Sequence, residues 1–186
     1  PLLIAAACAP EWPLRALLAH GGVAESLNDA VSKREPYPLG KALQGDAAGM
    51  YVPHPQGMTA SQRLGHVSLL IGAKASPDGP PGRRRSPLHM AAETRNTPAV
   101  AALLAAGAAP DGTIEGGASG TDRSPLSLAM SHYLFDGDVD DNLLSAKALL
   151  EARADPNGSE GLTQTAGGIG RDRMSPLWWA TRPGRP

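Results

Sequence analysis

The sequence is poor in cysteine and in aromatic residues. Cys8 is the only cysteine among 186 residues, so no disulfide can form within the chain. A chain without a disulfide framework suits a reducing compartment, and we expect the cytoplasm or the interior of an organelle. Aromatic residues make up only 4% of the chain, so any core must be built mainly from leucine, alanine and valine. Small apolar side chains let helices approach one another closely.

Long apolar runs and an excess of charge are also lacking. The longest apolar stretch, residues 2–9, falls far short of the roughly 18 residues that a membrane-spanning helix requires. The formal net charge is −1, so the whole chain has no electrostatic attraction to nucleic acid or to an anionic membrane. What remains is a globular chain of ordinary domain size, in which any charged recognition must come from local patches.

Proline and glycine, by contrast, are abundant, and they mark the starts and ends of a predicted helix pair in the middle of the chain. Ser86 is a good N-cap, and Pro87 suits the first position of a helix, where its missing N–H costs nothing. The break at 96–98 ends this helix and opens a second one, predicted over 99–106, with Gly107 placed to end it. Two such short helices have too small a core to be stable alone, so copies of the pair are expected.

Copies of both halves occur along the chain. The Pro-Leu opening at Pro87 recurs, with variations, at Pro1, Pro38, Pro125 and Pro176. The paired leucines that close the unit, Leu103 and Leu104, recur at 17–18, 69–70 and 149–150. The Pro-Leu-His opening followed by two alanines, together with the Leu-Leu and Gly-Ala close, resembles the ankyrin repeat family.

This resemblance implies an all-α ankyrin-repeat solenoid of stacked helix-turn-helix units joined by hairpin fingers. The units of a single domain, residues 1–186, would be 1–33, 34–82, 83–120, 121–171 and an incomplete 172–186. Successive openings are 37, 49, 38 and 51 residues apart, which exceeds the family's unit of about 33 residues. The excess predicts loop inserts at 44–60, 112–123, 131–142 and 158–173.

The family's concave surface, formed by fingers and first helices, implies binding to another protein. We expect the contacts on this surface to come from Arg84, Arg85, Arg95 and Trp178, and those in the inserts to come from Tyr51, His54, Tyr133 and Phe135. Arginine can grip an acidic partner, and tryptophan is enriched among interface hot spots. The alternatives are a solvated arginine finger and a Trp178 that packs against the neighbouring unit.

No pattern predicts a metal site, a cofactor or an enzyme. The acidic run 136–141 resembles a calcium loop, but Asp141 stands where the turn glycine belongs and Lys147 where a glutamate ligand is required. A helix-capping loop is the alternative, in which the preceding helix extends through Tyr133 and Asp140 or Asp141 caps the next. The histidines lack the spacing of metal ligands, and the resemblance implies that His89 ties neighbouring units together.

Two functions are therefore expected. The first is an adaptor or scaffold module that binds another protein, and the second is a structural subunit held permanently in a multi-subunit complex. The sequence begins at Pro1 inside an opening motif and stops at Pro186, after the first helix of a fifth unit. We expect a segment of a longer array, or one whose ends other proteins cover.

Overall fold

The computed structural model describes nine stretches of the chain, namely residues 2–7, 10–20, 27–28, 37–43, 59–81, 85–112, 124–132, 139–157 and 176–177. Within these stretches the secondary structure is helical and contains no strand. The all-α prediction is therefore confirmed for the described part of the chain. Its helices are α1 (Leu2–Ala7), α2 (Trp12–Ala19), α3 (Pro38–Leu43), α4 (Ala60–Gly72), α5 (Pro87–Glu93), α6 (Thr97–Ala105), α7 (Pro125–His132) and α8 (Val139–Glu151).

The helices begin at polar caps, as the sequence predicts for the third unit. Ser86 precedes α5, with Pro87 at the first helical position. Asn96 caps α6, where its side-chain oxygen accepts a hydrogen bond from the Ala99 N–H at 3.2 Å. Helix α6 begins at Thr97, two residues before the predicted start, because Asn96 rather than a later residue satisfies the free N–H groups.

Helices α4, α6 and α8 end in the same backbone conformation. The second residue after the helix has a positive φ, and the N–H of the alanine that follows it donates to the carbonyl of a leucine inside the helix. The residues with positive φ are Lys74 (71°), Gly107 (90°) and Arg153 (68°). The bonds join Ala75 to Leu70, Ala108 to Leu103 and Ala154 to Leu149, at 2.9, 3.0 and 3.0 Å. Gly107 thus ends its helix as predicted, and a lysine and an arginine take the same strained conformation elsewhere.

The helices pack as four consecutive pairs, which we number first to fourth along the chain. Each first helix contacts its own second helix, in the combinations α1–α2, α3–α4, α5–α6 and α7–α8. First helices contact first helices, in the order α1–α3–α5–α7. Second helices contact second helices, in the order α2–α4–α6–α8. The core is one cluster of mainly small and branched apolar side chains, to which all four pairs contribute.

Described helices reach into two of the approximate insert ranges. The insert expected at 131–142 overlaps the end of α7 at His132 and the start of α8 at Val139. Asp140 and Asp141 therefore lie within α8, in its first turn. Acidic residues are favourable there because the positive end of the helix dipole lies at the N-terminus.

The insert expected at about 44–60 is followed by α4, which Thr59 caps. The Gln62 N–H donates to the Thr59 hydroxyl at 3.2 Å, and the Thr59 N–H donates to the Gln62 side-chain oxygen at 2.9 Å. This reciprocal pair places the helix start at Ala60. The remainder of the predicted inserts, apart from Gly112, lies outside the described residues.

Candidate functional site

Two of the eight predicted partner-binding residues, Arg85 and Arg95, fall within the described residues. The other six lie outside them, namely Arg84, Trp178, Tyr51, His54, Tyr133 and Phe135. The two arginines lie at opposite ends of α5, one before its N-terminus and one after its C-terminus. The site that the structure describes is therefore centred on this helix.

Arg85 forms an ion pair along α5. Its Nη1 lies 2.6 Å from Oε2 of Glu93, and the two side chains are 43% and 40% exposed. An exposed pair of this kind contributes only about 0 to 1 kcal/mol to folding, so it can be exchanged for a contact with a partner at little cost. A partner that binds Arg85 through a carboxylate must compete with Glu93, whereas one that carries both charges can pair with both residues.

Arg95 lies in the turn between α5 and α6 and has a positive φ of 55°. Its N–H donates to the carbonyl of Ala92 at 3.2 Å, so the backbone is part of the helix end. The side chain is partly buried. Arg95 thus has a conformational role that the sequence pattern did not indicate, in addition to any contact with a partner.

His89 belongs to the framework of the site. It is 1% exposed, and its Nδ1 accepts a hydrogen bond from the Ser86 N–H at 3.2 Å. The Ser86 hydroxyl lies 2.9 Å from the same nitrogen. Gly112 packs on the ring, since a Cβ at this glycine would come within 2.7 Å of Nδ1. These contacts tie His89 to its own helix pair, and the tie between neighbouring units implied by the resemblance stays a prediction.

The second helix pair reaches a similar arrangement with different residues. Tyr37 and Gly40 hold the positions of Ser86 and His89. A Cβ at Gly40 would lie 2.8 Å from Cζ of Tyr37, and one at Gly79 would lie 3.0 Å from the Tyr37 hydroxyl oxygen. The tyrosine ring therefore packs between Gly40 and Gly79. Gly79 is the equivalent of Gly112, which packs on His89 in the third pair.

The position that aligns with Trp178 is described in earlier openings. His89 and Ser127 hold this position in earlier openings, and they are 1% and 0% exposed. Trp178 itself lies outside the described residues, so both alternatives for it stay predictions.

Side chains in the turns link successive helix pairs, and the sequence analysis did not anticipate these links. In each case a side-chain oxygen in one turn accepts a hydrogen bond from a backbone N–H in the next turn. The bonds run from Ser76 to Asn28 at 2.7 Å, from Ala109 to Asp78 at 2.8 Å and from Asp155 to Asp111 at 2.7 Å. The recurring Pro-Asp-Gly turn was the available signal. These links hold the turns of neighbouring pairs in register beside the site.

A second candidate surface lies on α8. Leu143, Leu144 and Leu150 are 49%, 52% and 49% exposed, although leucine normally favours the interior. The nearby Lys147 and Glu151 are exposed and lie 3.9 Å apart. The three leucines give this helix large apolar side chains that are about half exposed.

Among the described residues, no group of three or more histidine, cysteine, aspartate or glutamate side chains could hold a metal ion. None of the described helices is both long enough and apolar enough to cross a membrane. Compared with known protein-family models and with characterised proteins, the chain gives no match.

Proposed function

We propose that the chain is an ankyrin-type repeat array that binds another protein as an adaptor or scaffold. The observation that supports this most strongly is the order of helix contacts, in which first helices meet first helices and second helices meet second helices. Stacking of equivalent elements is the arrangement of a solenoid. The equivalent turn-to-turn hydrogen bonds between successive pairs support the same reading.

The binding surface that we propose includes Arg85 and Glu93 on α5. Helix α5 packs between α3 and α7, so its exposed side chains are presented by a fixed backbone. Presentation on a rigid array reduces the ordering entropy that binding would otherwise cost. The guanidinium of Arg85 and the carboxylate of Glu93 lie side by side on the surface, so they suit a partner that presents an adjacent pair of opposite charges.

Charge reversal tests this surface. Arg85→Glu should reduce capture of a partner from an extract of the native cell, measured by quantitative mass spectrometry, because it places two negative charges side by side. Arg85→Glu with Glu93→Arg restores the internal ion pair but exchanges the positions of the two charges. Capture should therefore stay low if the partner binds to these charges. Lys147→Glu on α8 is the matched control. Equal capture by all four proteins would reject this surface.

The alternative is a structural subunit within a larger complex. The exposed leucines of α8 favour it, because a contiguous apolar face usually marks an interface. Replacing Leu143 and Leu150 by glutamate should then abolish oligomers of the isolated chain in light scattering. A wild-type chain that stays a stable monomer at high concentration would count against this alternative. For either function we propose an intracellular protein of the cytoplasm or an organelle interior, based on the single cysteine.

A further inference from the structure

His66 occupies an unusual place in the row of second helices. The buried alanines that follow these helices, Ala75, Ala108 and Ala154, allow the helices to be aligned. The residue nine positions before each alanine is His66, Ala99 and Ser145, respectively, and all three are buried. An imidazole therefore stands where the later pairs hold a methyl or a hydroxymethyl group.

The contact across this position can be compared between junctions. Between the third and fourth pairs, the Thr97 hydroxyl lies 2.6 Å from the Ser145 hydroxyl. Glu11 is the residue of the first pair that aligns with Thr97, since each precedes the first leucine of its Leu-Leu pair by six positions. The Glu11 side chain covers Gly65, because a Cβ there would collide with Oε1 and lie 3.0 Å from Cδ. At the first junction the Glu11 carboxylate thus lies over Gly65, near the buried imidazole of His66, whereas the third junction holds two hydroxyls in contact.

His66 is fully buried, and no hydrogen bond of good geometry reaches either ring nitrogen from the described residues. Burial lowers the pKa of His66 below its ordinary value of 6.5, and the Glu11 carboxylate and the carbonyls of Pro10 and Gln62 oppose this shift. The Glu11 carboxylate also forms an exposed ion pair with Arg15, at 3.2 Å.

The other elements packed against α4 provide few charges. Helix α6 has no ionisable side chain, and the only one on α3 is Lys41. Arg63 is the other ionisable residue of α4 itself. Among the described residues, Glu11 is therefore the only negatively charged group found to act on the imidazole.

We propose that the α2–α4 contact, with His66 buried against Glu11, is a pH-sensitive junction at which protonation of the imidazole releases α2 from α4. The neutral ring packs as an apolar group, whereas the imidazolium has two N–H donors and a charge that this site does not fully satisfy. Acid thus weakens the contact between the first and second helix pairs and leaves the later junctions unchanged.

The direction of the effect follows from linkage. Because the folded-state pKa lies below the unfolded value, stability is fully present above about pH 6.5 and is lost as the pH falls below it. One proton changes the opening equilibrium by at most about tenfold per pH unit. The loss ends once the pH falls below the folded-state pKa, where both states are protonated.

The experiment measures hydrogen exchange in α2 and in α6 between pH 7.5 and pH 5, corrected for intrinsic exchange rates. The opening equilibrium of α2 should increase as the pH falls, by at most about tenfold per pH unit. The opening equilibrium of α6 should not change with pH. Glu11→Thr with His66→Ser copies the Thr97–Ser145 pair and should remove the pH dependence. Glu11→Gln removes the charge that favours the imidazolium, so the increase in acid should be larger.

Two results would overturn the proposal. One is the same pH dependence of α2 in the double variant and in the wild type, and the other is opening of α2 that does not change with pH. His66→Ala, which copies Ala99, replaces the double variant if that variant does not fold. NMR titration of the wild-type histidines adds an independent check, because a His66 that titrates at or above pH 6.5 would also contradict the mechanism.

Discussion

The second and third helix pairs fill the space beside the turn glycine with different side chains. In the third pair, the small Ser86 precedes α5 and the buried His89 fills the space beside Gly112. In the second pair the large side chain has moved to Tyr37, and the histidine position holds Gly40. The large side chain thus precedes the first helix in the second pair and lies within it in the third. The backbone turn is the same in both pairs, because both turns end in a glycine with positive φ. Packing thus constrains the sum of two side chains more tightly than either residue alone.

The largest expected effect tests this exchange directly. Tyr37→Ser should destabilise the fold by about 3 kcal/mol, because it leaves a cavity the size of an aromatic ring. Gly40→His alone should cost a similar amount, about 3 kcal/mol, because the new side chain collides with the tyrosine. The double variant should recover about 1 to 3 kcal/mol of the summed loss, measured by urea denaturation. Strict additivity of the two changes would show that the two arrangements are not interchangeable.

Gly112→Ala should have the next largest effect, a loss of about 2 kcal/mol. The alanine would adopt an unfavourable positive φ and its Cβ would press on His89. Gly72→Ala is the matched control, because nothing lies within 4 Å of its added Cβ and the residue is helical. The control should be neutral or stabilising by about 0.5 kcal/mol in thermal unfolding. If both variants lose the same stability, contact with His89 is not the cause.

A smaller effect concerns the turns that end the second helices. Lys74→Gly should stabilise the second pair by about 1 kcal/mol, because glycine adopts the positive φ of this residue without steric cost. Gly107→Ala should destabilise the third pair by a similar amount, about 1 kcal/mol, although nothing lies within 4 Å of the added Cβ. Changes of the same sign in chemical denaturation would contradict the equivalence of the two turns.

The smallest effect is expected on the surface of the third pair. Arg85→Ala should change the free energy of unfolding by no more than about 0.5 kcal/mol, and salt at about 1 M should reduce even this difference. Calorimetry with and without salt measures both quantities. A large, salt-independent loss would mean that the Arg85–Glu93 pair is part of the framework, and the binding test of this residue would then be confounded by unfolding.

Much of the third pair could be predicted from its sequence. The capping of α5 by Ser86, the break before α6 and the turn at Gly107 all depend on residues a few positions apart. The start of α8 was harder to predict from the sequence, because an acidic run suits both a helix cap and a first helical turn. Arg85 was correctly expected to be exposed, but its pairing with Glu93 could not be predicted from the charge run alone.

The sequence by itself determined that this protein is built from short helices with polar starts and glycine or proline turns, because these features depend on local hydrogen bonding and backbone sterics. Only the tertiary structure decided which side chain fills each position between the pairs. The ring of Tyr37 lies over Gly79, and the carboxylate of Glu11 lies over Gly65 beside the buried His66. These residues are some 40 to 55 positions apart in the chain. Packing between distant residues depends on their combined volume and on their distance from water, and neither quantity can be read from the residues one at a time.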